Sequence, residues 1–205
     1  MKLYYRPGTC ALAPHILLEH VGIDYEAVSA PAPPDFKEIN PTGAVPVLEL
    51  SEEKRLSQCG AILQFVCEVS GRDDLLGGTD PFRRATVGKW VSFFTGDFHP
   101  AFFPFFAPQR YTTSIDEPVL SEVKQAGRKM VQNGLAEIER QLSEQSYLAG
   151  KDLTVADLYS VPMLRWCKFL FSEGLKGWPE TEGFYHFMNG LRATQQALRV
   201  QRIAS

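Results

Sequence analysis

The chain has 205 residues, of which 44% are hydrophobic and 22% are charged, with a formal net charge of −3 and a pI near 5.8. This composition is that of an ordinary globular protein with one large or two small domains. The acidic balance excludes a basic face for nucleic acid or anionic lipid, and no apolar run approaches the roughly 20 residues of a spanning helix. Arg6, Pro7 and Gly8 interrupt the amino terminus before a signal-peptide core could form. The sequence therefore predicts a cytoplasmic protein with no nucleic-acid or membrane partner.

Metal chemistry and a disulfide framework are both disfavoured. The four cysteines are Cys10, Cys59, Cys67 and Cys167. None belongs to a C-x-x-C pair, and a chain with this much core does not need disulfide bonds. His15 and His20 are five residues apart, which puts them on different faces of a helix, and we interpret both as structural. We expect four reduced thiols and no metal.

The first part of the chain alternates strand-like and helix-like segments. We predict strands over residues 2–5, 25–28, 45–50 and 55–56, and helices over residues 11–21 and from residue 57 onward. The proline-rich segment APAPPDF between the second and third strands fits neither a regular helix nor a central strand. This order is typical of an α/β domain with strands joined by helices.

The second part of the chain shows helical patterns only. A polar, glycine-rich segment over residues 71–81 is typical of a linker. After it, we predict helices over residues 82–98, 119–142, 155–171 and 184–203. Thr154 and Asp157 fit an N-cap followed by an acidic residue three positions later, which is a structural capping box. The sequence thus predicts an α/β domain joined to an all-helical domain.

The Val45–Pro46 step opens an apolar strand in the string NPTGAVPVLEL. Proline cannot donate a ladder hydrogen bond, so it must stand at a strand start or an edge, and such a bond in a tight turn is sometimes cis. A cis bond would leave the amide and carbonyl of Val45 open to pair with a short extended peptide. The alternative is a strand that simply starts with proline. The residues by themselves leave both alternatives open.

Two helix starts carry residues suited to a thiol peptide. Cys10 follows a strand and turn directly before a helix, where free backbone amides and the helix dipole favour a thiolate. The alternative is a small buried filler. Gln58 and Cys59 open another helix, where a side-chain amide and free backbone amides suit a carboxylate and its ammonium neighbour. An ordinary helix start capped by Ser57 is equally compatible.

Four separated segments resemble the glutathione transferases, specifically the bacterial beta class. The segments are MKLYYRPGTCALAPHI, NPTGAVPVLEL, QCGAI and TVADLY, in the family's order over essentially the full length. The resemblance implies a thioredoxin-like β-α-β-α-β-β-α domain over residues 1–76 and an all-helical domain over residues 87–205. Residues 77–86 would form the linker and the start of the first helix of that domain. The resemblance also implies a homodimer that uses glutathione as co-substrate and has a role in detoxification.

The resemblance assigns roles to matching positions. Cys10 matches the cysteine that faces the glutathione sulfur, and His99 matches a histidine that approaches the same thiol from the helical domain. Val45, before cis Pro46, matches the residue that pairs its backbone with the cysteinyl part of glutathione. The γ-glutamyl end would lie at Gln58 and Cys59, and Ser92 matches a glutathione-binding asparagine on the same helix as His99. The predicted contacts to an apolar electrophile are Phe102, Phe103, Phe106, Tyr111 and Trp166, although the same aromatics would also suit the core or a dimer interface.

Three departures from the family pattern weaken the expected glutathione contacts. Cys59 replaces a serine, which exchanges a good hydroxyl donor for a weak thiol donor. The segment APAPPDF lacks the basic residue that relatives use for the glycyl carboxylate, and Lys37 is the nearby cation. Ala11 follows Cys10 where a hydroxyl residue is common.

Three functions are compatible with these residues. The first is conjugation of the glutathione thiol to an apolar electrophile. The second is a glutathione-dependent reductase or peroxidase in which Cys10 forms a mixed disulfide; position 13 is alanine, so this predicts a route with one thiol. The third is a non-catalytic adapter that uses the fold to bind other proteins.

Overall fold

The computed structural model describes residues 1–31 and 35–204. The elements of the first domain, in chain order, are β1 (Lys2–Tyr5), α1 (Leu12–Val21), β2 (Glu26–Ser29), β3 (Val47–Ser51), β4 (Lys54–Ser57) and α2 (Cys59–Val69). The four predicted strands and two predicted helices are all confirmed, with small shifts of their ends. Two single turns of 3₁₀ helix, Asp35–Glu38 and Asp73–Leu76, complete this part of the chain.

The four strands form one mixed sheet in the order β2-β1-β3-β4. β1 runs parallel to β2 and antiparallel to β3, and β3 pairs antiparallel with β4. Between β2 and β3, the described residues contain the 3₁₀ turn Asp35–Glu38 where the family pattern implied a longer helix; the predicted irregular segment APAPPDF lies partly outside the described residues. The carboxyl end of β1 leads into the loop that carries Cys10, so this sheet fixes where that thiol stands.

The second domain is helical. Its helices are α3 (Pro81–Phe93), α4 (Phe103–Phe106), α5 (Glu117–Glu144), α6 (Val155–Leu170), α7 (Pro179–Gly190) and α8 (Arg192–Gln201). α3 starts with a proline at its first position and with the Asp80 carboxylate accepting a hydrogen bond from the Phe82 N–H at 2.9 Å. The capping box at the start of α6 is confirmed, with Asp157 accepting hydrogen bonds from the Thr154 amide and hydroxyl at 2.7 and 2.9 Å.

Two predicted helices differ from the structure. The helix predicted over residues 184–203 is two helices, because Leu191 adopts an extended conformation (φ −59°, ψ 139°) directly after Gly190. Apolar side chains recur across the break since both helices face the same core, so periodicity alone could not detect it. The helix predicted over residues 82–98 ends at Phe93, and Phe94–Phe98 continue it as one π-helical turn.

One hydrophobic cluster extends through both domains. It joins Leu3 of β1 and Ile62 of α2 to Trp90 of α3 and Leu164 of α6, each of them almost fully buried. α1 packs against both α6 and α8, so the second domain covers the helix that follows Cys10. Within the described residues, none of the helices is both long enough and apolar enough to span a lipid bilayer.

Candidate functional site

The loop between β1 and α1 holds Cys10 and is anchored by the second domain. The Gly8 carbonyl accepts a hydrogen bond from Trp166 Nε1 of α6 at 2.7 Å. The Gly8 N–H donates to Gln201 Oε1 of α8 at 3.1 Å. Gly8 has φ +71°, a conformation that L side chains rarely adopt. Two helices of the second domain therefore set the path of the chain two residues before Cys10.

Val45 offers its backbone beside this thiol. The Val45–Pro46 bond is cis, which confirms the prediction, and β3 begins directly after it. The Val45 carbonyl accepts a hydrogen bond from Cys10 Sγ at 3.6 Å. Its N–H makes no hydrogen bond within the described part of the chain. The preceding turn is held by Asn40, whose side-chain amide donates to the Ala44 carbonyl at 2.7 Å. An open backbone donor thus lies next to a thiol.

The start of α2 forms the other wall. Gln58 occupies the N-cap position, in place of the Ser57 cap considered above, and its φ of +75° is rare for a residue with a side chain. Such conformations persist where the surrounding structure enforces them, and they cluster at functional sites. Cys59, the first residue of the helix, is buried and donates from Sγ to the Cys10 carbonyl at 3.3 Å. The two helix starts that the sequence singled out therefore meet.

A cavity of about 330 Å³ lies between the two domains and falls within the size range of small-molecule sites. Its lining includes six residues predicted for the glutathione site: Cys10, Val45, Pro46, Gln58, Cys59 and His99. Phe103, predicted to contact the electrophile, also lines it. Surface depressions of about 560 and 660 Å³ lie elsewhere, but their described lining contains no cysteine. Chemistry rather than size therefore selects the cavity at Cys10.

Five other predicted residues lie outside the lining of this cavity. Ser92 is exposed on α3. Phe102 is fully buried in the core, and Trp166 is 9% exposed, with its ring against Phe102 and its indole N–H used by Gly8. Phe106 and Tyr111 are half exposed. The structure thus places Phe102 and Trp166 behind the residues that line the cavity, and Phe106 and Tyr111 on the outer surface.

Five polar residues that line the cavity were not predicted as site residues from the sequence: Asn40, Thr42, Ser57, Thr95 and Tyr159. Thr95 stands in the π-helical turn, one turn beyond Ser92. Tyr159 belongs to the segment TVADLY, which was interpreted only as a capping motif. No sequence signal separates its ring from the other buried aromatics of α6, because only the packing of α6 against α2 brings it to the cavity.

The electrostatics of the cavity favour a thiolate at Cys10. A hydrogen bond from Cys59 lowers the pKa of Cys10, and the backbone amides of Cys10 and Ala11 at the helix start lower it further, against the opposing effect of burial. Burial lowers the pKa of His99 to about 4, so its imidazole is neutral at pH 7. Its ring centroid lies 5.1 Å from those of Phe103 and Trp166. The cavity can therefore hold an anionic sulfur beside a neutral imidazole.

Comparison with known proteins assigns the family. Residues 1–68 match the glutathione S-transferase N-terminal domain, and residues 121–189 match the glutathione S-transferase C-terminal domain. The curated glutathione S-transferase GST-4.5 of Xanthomonas campestris is 29% identical over 205 residues, with 98% of each chain covered.

Two solved structures resemble the whole chain. A ternary complex of BphK, a bacterial glutathione S-transferase, is 33% identical, with a TM-score of 0.87, and the match covers 99% of this chain and 100% of that one. A sphingomonad glutathione S-transferase complexed with glutathione is 31% identical, with the same TM-score and full coverage of both chains. The chain belongs to the glutathione S-transferase family and is an enzyme of the transferase class. The predicted family, the predicted fold class and enzymatic function in preference to a non-catalytic adapter are confirmed.

Proposed function

We propose that the protein conjugates the glutathione thiol to apolar electrophiles in the cavity between its domains. The observation that carries this proposal is that the Cys10 thiol, with its lowered pKa, and the open N–H of Val45 line the same cavity. An extended glutathione pairs its cysteinyl amide and carbonyl with the Val45 backbone, as in strand addition. The cysteinyl N–H of glutathione replaces the weak S–H donor that Cys10 offers to the Val45 carbonyl in this structure. This pairing directs the glutathione sulfur toward Cys10.

The two ends of glutathione meet different surroundings. The γ-glutamyl carboxylate and ammonium lie at Gln58 and Cys59, where the helix start supplies unpaired N–H groups and a side-chain amide. The glycyl carboxylate lies on the side of Asn40 and Thr42, which offer neutral donors. Lys37 is exposed and is not part of the cavity lining. Because no described residue of the lining provides a cation for this carboxylate, we expect weaker binding than a basic residue would give.

Catalysis comes from stabilising the thiolate and from holding it near the electrophile. While glutathione is bound as its thiolate, Cys10 is protonated and donates its S–H to that sulfur, because two adjacent thiolates would repel each other. Neutral His99 adds a hydrogen bond from the other wall. A pKa near 4 makes His99 a weak base, so we assign it to orientation of the thiolate rather than to proton abstraction. Thr95 lines the cavity, and we assign to it the contact with glutathione that the sequence predicted for Ser92.

The electrophile binds on the side of the helical domain. Phe103 contacts it directly in this proposal, and the half-exposed Phe106 and Tyr111 receive its outer part. Phe102 and Trp166 support this wall from behind, because both are buried. Their role is to fix the position of Phe106 and His99, whose rings lie about 5 Å from that of Trp166.

We also propose a cytoplasmic homodimer with a role in detoxification and beta-class character. Large apolar side chains that a partner subunit would cover include Leu50, Val69 and Phe82, which are 41%, 50% and 80% exposed. We also propose the linker at residues 77–86, which is supported by the start of α3 at Pro81. Sedimentation velocity on wild type and Phe82→Ser tests the assembly: a monomeric wild type would contradict the homodimer.

Two substitutions at Cys10 test the proposed function. We expect Cys10→Ser to keep part of its conjugating activity toward a chloronitrobenzene, because a hydroxyl can still donate to the bound thiolate. Cys10→Ala should lose more, and each tenfold loss in rate corresponds to about 1.4 kcal/mol. Cys67→Ala is the matched control, since Cys67 is a buried cysteine outside the cavity. Full activity of Cys10→Ala, or failure of the wild type to bind immobilised glutathione, would contradict the assignment.

A further inference from the structure

Two cysteines that are distant in sequence meet at the base of the cavity. Cys10 stands two residues before α1, and Cys59 is the first residue of α2. Cys59 Sγ donates to the Cys10 carbonyl at 3.3 Å, and each of the two thiols shifts the pKa of the other. Both are reduced, and both line the same cavity. Because position 13 is alanine, the sequence indicated disulfide reduction through Cys10 alone. The fold supplies a second thiol, Cys59, from another helix.

We propose that Cys10 and Cys59 act as a redox pair, in which Cys59 resolves a mixed disulfide between Cys10 and glutathione. The substrate class is a glutathione mixed disulfide of another thiol, and the product is that thiol in reduced form. The inference rests on the proposed function to the extent that glutathione must bind in this same cavity. Cys59 thereby has a redox role in addition to its place at the γ-glutamyl end.

The surroundings of the two thiols give them different roles. Cys10 is the attacking residue, because the Cys59 hydrogen bond and the amides of the helix start lower its pKa. Burial, together with the hydrogen bond and the negative charge of Cys10, raises the pKa of Cys59 well above its usual range. Cys59 is therefore the member of the pair that keeps its proton, and Cys10 is the one that more readily reaches the thiolate form.

Formation of the mixed disulfide changes this balance. Once a glutathionyl group is bonded to Cys10 Sγ, the thiolate charge is gone, and two of the three causes that raise the pKa of Cys59 disappear with it. The Tyr159 hydroxyl hydrogen-bonds Cys59 and lowers its pKa. Burial raises the pKa of Tyr159, so its hydroxyl stays protonated as a donor. The resolving thiol thus becomes a better nucleophile only after the first step, and Tyr159 is a positioning residue for it.

The steps balance in atoms and electrons. The Cys10 thiolate attacks the glutathionyl sulfur of R–S–SG, which forms Cys10–S–SG and releases R–S⁻, and R–S⁻ takes a proton from water. Cys59 then attacks Cys10 Sγ, which forms the Cys10–Cys59 disulfide, and its proton passes to the departing glutathione thiolate. Two further glutathione molecules reduce this disulfide and leave as glutathione disulfide. The net reaction is R–S–SG plus glutathione giving R–SH plus glutathione disulfide, a two-electron exchange.

Intact-mass analysis after oxidation tests the pair. Reduced wild-type protein is treated with excess glutathione disulfide, quenched in acid, alkylated and mapped by peptide. We expect Cys10 and Cys59 to be joined in one peptide pair, with no glutathionyl mass retained. Cys59→Ser should instead keep one glutathionyl group on Cys10, and Cys59→Ala guards against a folding defect particular to serine. Cys67→Ala is the matched control on the same helix and should behave as wild type, because Cys67 lies outside the cavity.

The kinetics add a readout that a purely structural role would not change. In Tyr159→Phe, we expect the glutathionyl adduct to persist longer before the internal disulfide forms, with the rate of that step rising at a higher pH than in wild type. A wild-type protein that stops at the mixed disulfide, with Cys59 still open to alkylation, would overturn the redox pair. The proposed conjugation is judged separately by wild-type turnover of the chloronitrobenzene, so the failure of either proposal is distinguishable from failure of the other.

Discussion

Replacement of Trp166 by phenylalanine tests how the helical domain holds the loop before Cys10. Trp166 Nε1 donates to the Gly8 carbonyl at 2.7 Å, and the ring packs against His99 at a centroid distance of 5.1 Å. Phenylalanine keeps an aromatic ring in this place but cannot donate the hydrogen bond. The substitution therefore removes a specific link between α6 and the β1–α1 loop.

The expected magnitude follows from comparison with a second buried tryptophan. Trp90 is 1% exposed, and its indole N–H has no hydrogen-bond partner among the described residues. Trp90→Phe and Trp166→Phe remove the same atoms, so the packing losses are similar in kind. Only Trp166→Phe leaves the Gly8 carbonyl without its donor, which costs about 1–3 kcal/mol. We expect Trp166→Phe to destabilise the protein more than Trp90→Phe by that amount.

Urea unfolding followed by far-ultraviolet circular dichroism measures both variants without relying on tryptophan fluorescence. A difference of 1 kcal/mol corresponds to about 2–4 °C in Tm for a chain of this size. The pH dependence of Cys10 alkylation gives a second readout. We expect the pKa of Cys10 to rise in Trp166→Phe because the loop that orients its backbone amides loses an anchor, and to stay unchanged in Trp90→Phe.

If Trp90→Phe cost as much stability as Trp166→Phe, the hydrogen bond from Trp166 to Gly8 would make no net contribution to folding. The proposed link to the thiol would be refuted if Trp166→Phe destabilised the protein but left the alkylation profile of Cys10 unchanged. In that second case the hydrogen bond to Gly8 would contribute to folding without positioning the thiol.

Three further substitutions probe other parts of the structure. Burial lowers the pKa of His99 to about 4 in the folded state, against about 6.5 in the unfolded state. The unfolded state therefore binds more protons below pH 6.5, and the free energy of unfolding falls as the pH drops from 6.5 toward 4. His99→Gln should reduce the stability lost between pH 7 and pH 5 by about 2 kcal/mol in urea titrations. Gly134→Ala places a Cβ against the ring of Phe98 and should cost about 1–3 kcal/mol. The matched Gly88→Ala meets nothing within 4 Å and should stabilise α3 slightly, so equal Tm values for the two variants would contradict the close packing at Gly134. Asp157→Ala removes the acceptor of three buried hydrogen bonds and should lower the unfolding free energy by about 2–4 kcal/mol, and a loss below 1 kcal/mol would be inconsistent with that network.

The sequence predicted the local elements and the two helix starts of the site with good accuracy. The strand at Lys2–Tyr5 follows from a β-prone run that ends before Pro7 and Gly8. The capping box at Thr154 follows from hydrogen bonds between residues close in sequence. It failed where helical periodicity continued through a change of backbone, as at Leu191, because a shared core imposes apolar positions on both sides of the break. Local signals therefore predicted which helices and strands exist better than they predicted the residues at which those elements end.

The assembly of the cavity was decided only by tertiary structure. The sequence by itself determined a thiol before α1, a proline directly before β3 and the pair Gln58–Cys59 at the start of α2, because each depends on neighbours within a few positions. The cis form of the Val45–Pro46 bond was expected from the family resemblance. The contact of Cys10 with Cys59 and the approach of Tyr159 bring together the loop before α1, the start of α2 and the middle of α6. Burial of aromatics such as Phe102, which the sequence placed at the electrophile, depends in the same way on how the helices pack. Such long-range contacts follow from the burial of apolar faces against one another, and no pattern within a single helix specifies which of its buried residues will border a cavity.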